Sequence, residues 1–194
     1  MAPRILSRFK QKQRRKNPEV RILIASEIDQ DPLLTLVRTN IAAFERLAAD
    51  LYDIYWPVWR AHGKLQISLQ FLEETRMAEM NDEYRQMHAP TDVLTFPFFE
   101  EEGRFIPDAQ VQPLLLGDIV ACPAAIRKNA LEHHVSEESE LALIVFHGML
   151  HLLAWDHDTP EKQERMWRVQ ERFRDLFLKG LSAPVVDNEG YEKK

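Results

Sequence analysis

Three of the seven histidines lie within eleven residues, between His147 and His157. His147 and His151 are four residues apart in an apolar stretch, so on a helix their imidazoles project from one face. His157 follows six residues later and can reach them only if the helix ends and the chain turns near Ala154 and Trp155. Three neutral imidazoles arranged in this way can hold one tetrahedral metal ion and leave its fourth position open for water, which indicates a catalytic rather than a closed structural site.

The alternative interpretation is that these are core histidines with ordinary hydrogen-bond partners. It would have to apply three times in one apolar segment whose nearest carboxylate is Asp156, and burying an imidazole without a partner costs free energy. We therefore predict one metal ion per chain, bound by His147, His151 and His157, with Asp156 behind the ligands to orient an imidazole. The remaining histidines are predicted to be surface or structural residues: His62, His88, His133 and His134.

Arg85 is a candidate ligand for a phosphate group. It precedes Pro90, Thr91 and Asp92, where the proline and two side chains that bond to local backbone stiffen the entry to a strand. A guanidinium can hold two oxygens of one phosphate, although arginines are also common on surfaces. Thr91 and Asp92 are predicted to have a structural role.

In these residues the sequence resembles the YbeY family of metal-dependent endoribonucleases. The resemblance rests on three blocks that follow one another over residues 20–180: Asn81 to Pro97, Leu116 to Val120, and His147 to His157. It implies a zincin-like α+β fold, a zinc ion on the three histidines, and endoribonuclease activity on single strands. The process it implies is maturation of ribosomal RNA, at the 3′ end of the small-subunit RNA, together with ribosome quality control.

The resemblance also implies roles for single residues and the nature of the partners. Arg85 and His147 are the implied catalytic residues, and Asp118, in the second block, is expected to line the cleft. The implied partners are single-stranded or ribosomal RNA, a small-subunit ribosomal protein and an assembly GTPase. The chain departs from the family where Ala154 and Trp155 replace the usual glycine and tyrosine. If the first of these positions has a left-handed backbone, alanine there costs about 1–2 kcal/mol.

Two further functions fit the same residues. A zincin-type protease or other hydrolase would use the metal on a peptide, but Gly148 stands where such proteases carry the glutamate that acts as general base. A ribosome-assembly factor without catalytic activity would use the metal only to stabilise its fold. For the endoribonuclease, we expect the metal to bind the scissile phosphate or a water and Arg85 to neutralise charge on the phosphate oxygens. Water and the substrate's 2′-hydroxyl both remain open as the nucleophile.

Hydrophobic patterns predict the strands that help to position these residues. Four apolar or alternating segments are predicted strands, at residues 20–25, 65–71, 93–96 and 114–120. Pro97 ends the third strand or confines it to an edge of the sheet, and an acidic loop follows from Glu100 to Pro113.

Helices are predicted between and after these strands. One amphipathic helix is capped by Asp31 and extends through Leu51, and a polar helix covers residues 73–82. Ser136 caps the helix that carries the paired histidines, and a last helix opens near Pro160 and is stopped by Gly180. This order predicts an α+β fold in which helices cover one small mixed sheet of about four strands.

Composition limits the classes of protein that are compatible with these patterns. A chain of 194 residues, 45% apolar and 29% charged, is typical of one globular domain. The lone cysteine, Cys122, excludes an internal disulfide and fits a reducing compartment. The longest uncharged apolar stretch, residues 141–155, is too short to span a bilayer, so no membrane partner is expected.

Charge is unevenly distributed along the chain. Residues 1–16 carry seven basic and no acidic side chains, which leaves 18 basic and 31 acidic residues in the rest. We predict a basic, flexible extension over residues 1–19, an endoribonuclease domain over 20–181 and a polar tail over 182–194. The extension either keeps the protein soluble or attracts the phosphates of nucleic acid. It lacks a secretory signal and is a poor match to an organellar transit peptide, so a cytoplasmic location is expected.

Overall fold

The computed structural model describes residues 19–108 and 111–182. The predicted basic extension and polar tail therefore lie outside the described residues, apart from Glu19 and Ser182, which belong to the first strand and the last helix. Among the described residues, none of the helices has the length and the apolar character that crossing a membrane requires.

A four-stranded mixed sheet forms the centre of the fold, as predicted. The strands along the chain are β1 (Glu19–Ser26), β2 (Lys64–Phe71), β3 (Val93–Pro97), β4 (Glu100–Glu101), β5 (Arg104–Phe105) and β6 (Leu114–Ala121). The main sheet has the order β1-β2-β6-β3, in which β1, β2 and β6 are parallel and β3 is antiparallel to β6. β3 therefore occupies an edge, which suits a strand that ends in Pro97.

The alternation of side chains explains why β2 forms in the middle of this sheet. Its apolar residues are buried, and the polar residues after the exposed Lys64 are half-buried, so apolar and polar side chains point to opposite faces of the sheet. The buried residues are Leu65, Ile67, Leu69 and Phe71. They belong to the main hydrophobic core, which the helices close.

Six α-helices are found in the described part of the chain. They are α1 (Pro32–Thr39), α2 (Ile41–Tyr55), α3 (Glu74–Arg85), α4 (Pro123–His133), α5 (Glu137–His151) and α6 (Pro160–Ser182), and a 3-10 helix covers Pro57–His62. α5 contacts α1, α4, α6, β3 and β6. Its Phe146 ring lies 5.8 Å from Phe44 of α2 and 5.6 Å from Phe173 of α6. Aromatic packing of this kind stabilises a core strongly, so α5 is held firmly against α2 and α6.

Gly148 allows α5 to lie against the sheet. A Cβ atom at this position would come within 2.9 Å of Ile119 Cγ2 on β6, and real side chains do not pack so closely. The position after His147 therefore faces the sheet. A glutamate here would point into the core, which explains in physical terms why the protease pattern does not fit this chain.

The predicted helix from Asp31 to Leu51 is two helices in the structure. Asp31 caps α1 as expected, since its Oδ1 accepts a hydrogen bond from the backbone N–H of Leu33 at 2.8 Å. The chain then breaks at Asn40, whose side-chain amide donates to the carbonyl of Leu36 at 2.9 Å. Such local side-chain bonds compete with helix continuation, and the hydrophobic spacing carries no sign of the break.

Three other elements differ from the prediction. α4 was not predicted, because its buried face is made largely of small residues, including Ala125 and Ala130, which give little periodic signal. The acidic loop contains the hairpin formed by β4 and β5. Gly180 does not stop α6, which continues to Ser182, since a glycine near the end of a long helix costs only about 1 kcal/mol.

Candidate metal centre

α5 and the turn after it bring the three predicted ligands together. The Nε2 atoms of His147 and His151 lie 3.0 Å apart on adjacent turns of the helix. The His157 ring centroid lies 5.5 Å from that of His147 and 5.3 Å from that of His151. One nitrogen from each of the three residues lies within 4.8 Å of the other two.

The return of His157 depends on a tight turn after α5. The helix ends at His151, the Ala154 N–H donates to the His151 carbonyl at 2.8 Å, and the Trp155 N–H donates to the Leu150 carbonyl at 3.2 Å. Ala154 has φ 56°, in the left-handed region that favours glycine. The left-handed backbone considered for this position is thus present, and alanine carries the cost of about 1–2 kcal/mol that it implies.

Trp155 fixes the same turn from outside. Its ring lies 5.0 Å from the ring of Tyr55 in an edge-to-face arrangement, and the Arg165 guanidinium lies 4.2 Å from its centroid. Contacts of this kind each contribute on the order of 1 kcal/mol. The turn is therefore held between α2 and α6, although Ala154 is strained.

Gln170 prepares His147 to bind a metal. The Gln170 Oε1 atom, on α6, accepts a hydrogen bond from His147 Nδ1 at 2.8 Å, and the Gln170 side chain is buried. A proton on Nδ1 leaves the lone pair on Nε2, the atom that faces His151. The residues present therefore fit a metal ion. Gln170 fixes the orientation of the His147 ring, and one nitrogen from each of the three histidines lies close to the other two.

Electrostatics keep two of these histidines neutral. Burial lowers the pKa of His147 and outweighs the hydrogen bond to Gln170, which raises it; the neighbouring His157 lowers it further. Burial, followed by the neighbouring His147 and His157, lowers the pKa of His151 to about 4. A metal ligand must be an unprotonated imidazole, so both residues are in the form that binds metal at neutral pH.

Arg85 lies in the same cleft as the three histidines. The cleft has a volume of about 610 Å³, and α5 packs against both β3 and α6, which line its two sides. Arg85 is the last residue of α3 and is exposed. It also lines a smaller cleft beside the first, together with His151 and Asp156.

The segment after Arg85 is held by side-chain hydrogen bonds. Asn81 Nδ2 donates to the Ala89 carbonyl at 2.7 Å. Asp92 Oδ1 accepts from the Val93 N–H at 2.8 Å, and Asp92 Oδ2 accepts from Asn129 Nδ2 at 3.0 Å. The structure thus gives Asp92 the bonds of a structural residue, although it also lines the cleft.

The remaining predicted site residues lie in different places. Asp156 lines the cleft, but its Oδ1 accepts from the His157 backbone N–H at 2.7 Å, and Gln170 is the residue that orients an imidazole. Asp118, on β6, is not among the described residues that line the cleft; its carboxylate accepts from Gln70 Nε2 at 3.3 Å. His133 lines the cleft, with Nδ1 3.3 Å from the buried Glu140 carboxylate.

Sequence reasoning missed the contribution of α6 to the site. Gln170 falls on the same helical face as the buried residues Met166, Val169 and Phe173. A glutamine at a core position requires a hydrogen-bond partner, and this was the available signal. Trp167, on the adjoining part of the helix, also lines the cleft.

The fold and the site define an α+β protein in which three histidines, two on the central helix and one after the turn that follows it, could hold a metal ion. A model of the endoribonuclease YbeY family matches residues 35–177. The chain belongs to this family.

Relatives named endoribonuclease YbeY are similar over most of their length. The Beutenbergia cavernae protein is 31% identical over 158 residues, which cover 81% of this chain and 99% of that protein. The Mycobacterium ulcerans protein is 38% identical over 153 residues, which cover 78% of this chain and 82% of that protein. A solution structure of a Thermotoga maritima protein covers 89% of this chain and 99% of its own, with 26% identity and a TM-score of 0.54.

Proposed function

We propose that this protein is a zinc-dependent endoribonuclease that cleaves single-stranded RNA. The observation that carries the proposal is the convergence of His147, His151 and His157 in one cleft with Arg85. The name of the relatives supports cleavage within RNA chains.

The ligand set supports zinc as the metal. Three imidazole nitrogens with a free fourth position are typical of catalytic zinc, and the described residues offer no cysteine at this cluster. When bound, zinc supplies Lewis-acid chemistry, which polarises a phosphoryl oxygen.

The protein's own residues bind and orient the substrate phosphate. Arg85 carries a planar guanidinium that can hold two phosphate oxygens and offset the charge that builds on them during cleavage. Gln170 keeps the His147 ring in one orientation through its bond to Nδ1. Because α5 packs against α6 and the sheet, His147 and His151 are positioned before the substrate arrives.

The shape of the cleft favours an unpaired strand. Arg85 and His151 line both the main cleft and the smaller one beside it, so a chain can pass through both with a phosphate at Arg85. A duplex is stiff and presents its bases stacked inward, whereas a single strand can splay its bases against protein side chains.

Ribosomal RNA is the substrate that we propose, with the 3′ end of the small-subunit RNA as the region cleaved. A small-subunit ribosomal protein and an assembly GTPase are proposed partners, and the proposed location is the cytoplasm. The family resemblance supports these assignments.

A cleavage assay tests the proposed activity. Zinc-loaded protein is incubated with a labelled single-stranded RNA, the same RNA in a duplex, and a casein-like peptide, beside a variant with His147→Ala and His151→Ala. We expect cleavage of the single strand alone, and loss of both zinc and cleavage in the variant. Cleavage of peptide but not RNA would establish the protease instead. Binding to ribosomal particles without any cleavage would favour an assembly factor.

A further inference from the structure

Trp167 is an exposed tryptophan on the wall of the cleft. About 53% of its surface is exposed, whereas Met166, Val169 and Phe173 on the same helix are buried. Trp56 packs on Phe105, and Trp59 is fully buried. Trp167 has no aromatic ring or guanidinium stacked on it among the described residues.

Trp167 lies beside the metal centre along α6. It is one helical turn from Gln170, whose Oε1 lies 2.8 Å from His147 Nδ1. Trp167 lines the cleft together with the apolar side chains of Val135, Leu143 and Ile144. One part of the cleft wall therefore includes an indole and aliphatic groups, beside the carboxylates of Glu140 and Glu171.

The charges of the cleft do not favour many phosphate contacts. Four carboxylates but two guanidinium groups line it: Asp92, Glu140, Asp156 and Glu171 against Arg85 and Arg174. The Arg174 guanidinium already donates to Asp175 Oδ1, from Nε at 3.0 Å. Within the cleft, attraction to the RNA backbone is thus concentrated at Arg85, so contacts with the bases are needed for further affinity there.

We propose that Trp167 is a stacking platform for one unpaired nucleobase of the RNA substrate. The base belongs to a nucleotide close to the one whose phosphate lies at the metal centre, on the α6 side of the cleft. An indole stacks on any base, so the platform contributes affinity without strict sequence preference. This inference rests on the proposed endoribonuclease function, because it names how the same cleft holds its substrate.

Binding of a 2′-O-methyl RNA of about ten nucleotides tests the platform. The full-length, zinc-loaded protein is titrated by fluorescence anisotropy, and the RNA is checked on a gel for integrity. We expect Trp167→Ala to bind the RNA about 5- to 150-fold more weakly than the wild type, because it loses one base stack. Trp167→Phe should recover most of the affinity, whereas Trp167→Leu should not. Leu176→Ala, at another exposed apolar position of α6, is the matched control and should bind like the wild type.

A scan with abasic nucleotides locates the stacked base. One abasic nucleotide is placed at each position of the 2′-O-methyl RNA in turn. In the wild type, one position should weaken binding more than its neighbours. The same abasic nucleotide should cause no further loss in Trp167→Ala, since the base and the indole act as one pair.

The outcomes separate this inference from the proposed function. If the wild type cleaves single-stranded RNA but Trp167→Ala and Trp167→Leu bind the probe as tightly as Trp167→Phe, the platform is wrong and the activity stands. Equal abasic penalties in the wild type and Trp167→Ala would also contradict the platform. If the wild type neither cleaves nor binds RNA, the proposed function fails, and the platform fails with it.

Discussion

Arg85 is a positively charged residue that lines both the main cleft and the smaller cleft beside it. Because it is exposed at the end of α3, truncation should not disturb the core. We expect Arg85→Ala to keep its zinc and its melting temperature and to lose about 10²- to 10³-fold in single-turnover cleavage, as loss of one group that stabilises developing charge does elsewhere. Arg85→Lys should recover only part, since an ammonium lacks the planar fork.

The control for this prediction is Arg46→Ala. Arg46 is an exposed arginine of α2 that pairs with Asp50 at 3.8 Å and does not line the cleft. Its variant should cleave RNA at the wild-type rate. Unchanged turnover in Arg85→Ala, or a large fall in its melting temperature, would contradict the phosphate-binding role.

Ala154 is a residue whose backbone is left-handed where glycine would be unstrained. Replacement by glycine removes a cost of about 1–2 kcal/mol but adds freedom to the unfolded chain worth about 0.4–1 kcal/mol. We therefore expect Ala154→Gly to raise the free energy of unfolding by about 0.5–1 kcal/mol, measured by urea denaturation. Ala49→Gly, inside α2, should lower it by a similar amount. Destabilisation by both changes would show that Ala154 is not strained.

Gly148 shows how one residue sets the position of a whole element. A methyl group there would meet Ile119 at 2.9 Å, so Gly148→Ala should push α5 from the sheet and cost about 1–3 kcal/mol of unfolding free energy. Because α5 carries His147 and His151, zinc affinity measured by competition with a chelator should fall as well. Gly180→Ala, at a helical glycine with open space around it, should instead stabilise by about 0.5–1 kcal/mol. Equal effects of the two changes would contradict this packing of α5 on the sheet.

Elements could be predicted where one pattern decides the structure. β2 alternates without interruption, and Ser136 caps α5 through its bond with the Ser139 N–H at 3.2 Å. The break at Asn40 could not be predicted, because the apolar residues on either side of it keep a helical spacing. Likewise, the residue pattern of β6 does not indicate the hydrogen-bond partner of Asp118. Its bond to Gln70 depends on the register between β6 and the parallel strand β2.

In the site, too, contacts within one element could be predicted, whereas contacts between elements could not. The separation of His147 from His151 is a property of one helix, so the pairing of these two ligands could be predicted. Gln170 reaches His147 from a helix 23 residues further along the chain. That contact depends on how α5 and α6 pack, which no spacing within either helix determines.

At the scale of the whole molecule, the buried histidines link stability to pH. The pKa of His151 falls from 6.5 to about 4 on folding. Between these values the unfolded chain binds a proton that the folded chain does not, so metal-free protein should lose stability as pH falls through this range. Burial lowers the pKa of His147 too, which adds to the same trend. Urea denaturation at several pH values, with a chelator present, measures how the unfolding free energy of the metal-free protein depends on pH.

A variant isolates this effect from the titration of carboxylates. His151→Asn removes the titrating group, and we expect its unfolding free energy to depend less on pH between about 6.5 and 4 than that of the wild type. His134→Asn, at an exposed histidine that follows α4, should keep the wild-type dependence. If all three proteins share one pH dependence, the proposed linkage through the metal ligands is wrong.

The uneven charge of the chain predicts which part of the molecule attracts RNA. Seven basic side chains precede a body with 18 basic and 31 acidic residues, so the extension supplies attraction that the body lacks. We expect deletion of residues 1–16 to weaken RNA binding and to flatten its dependence on salt, by at most about 5 in the slope of log K against log salt concentration if all seven charges meet phosphates. Single-turnover cleavage at saturating RNA should change little, because the cleft is intact. Replacing the seven basic residues by glutamine separates charge from length and should act like the deletion. A salt dependence that stays the same in both would show that the extension serves only solubility.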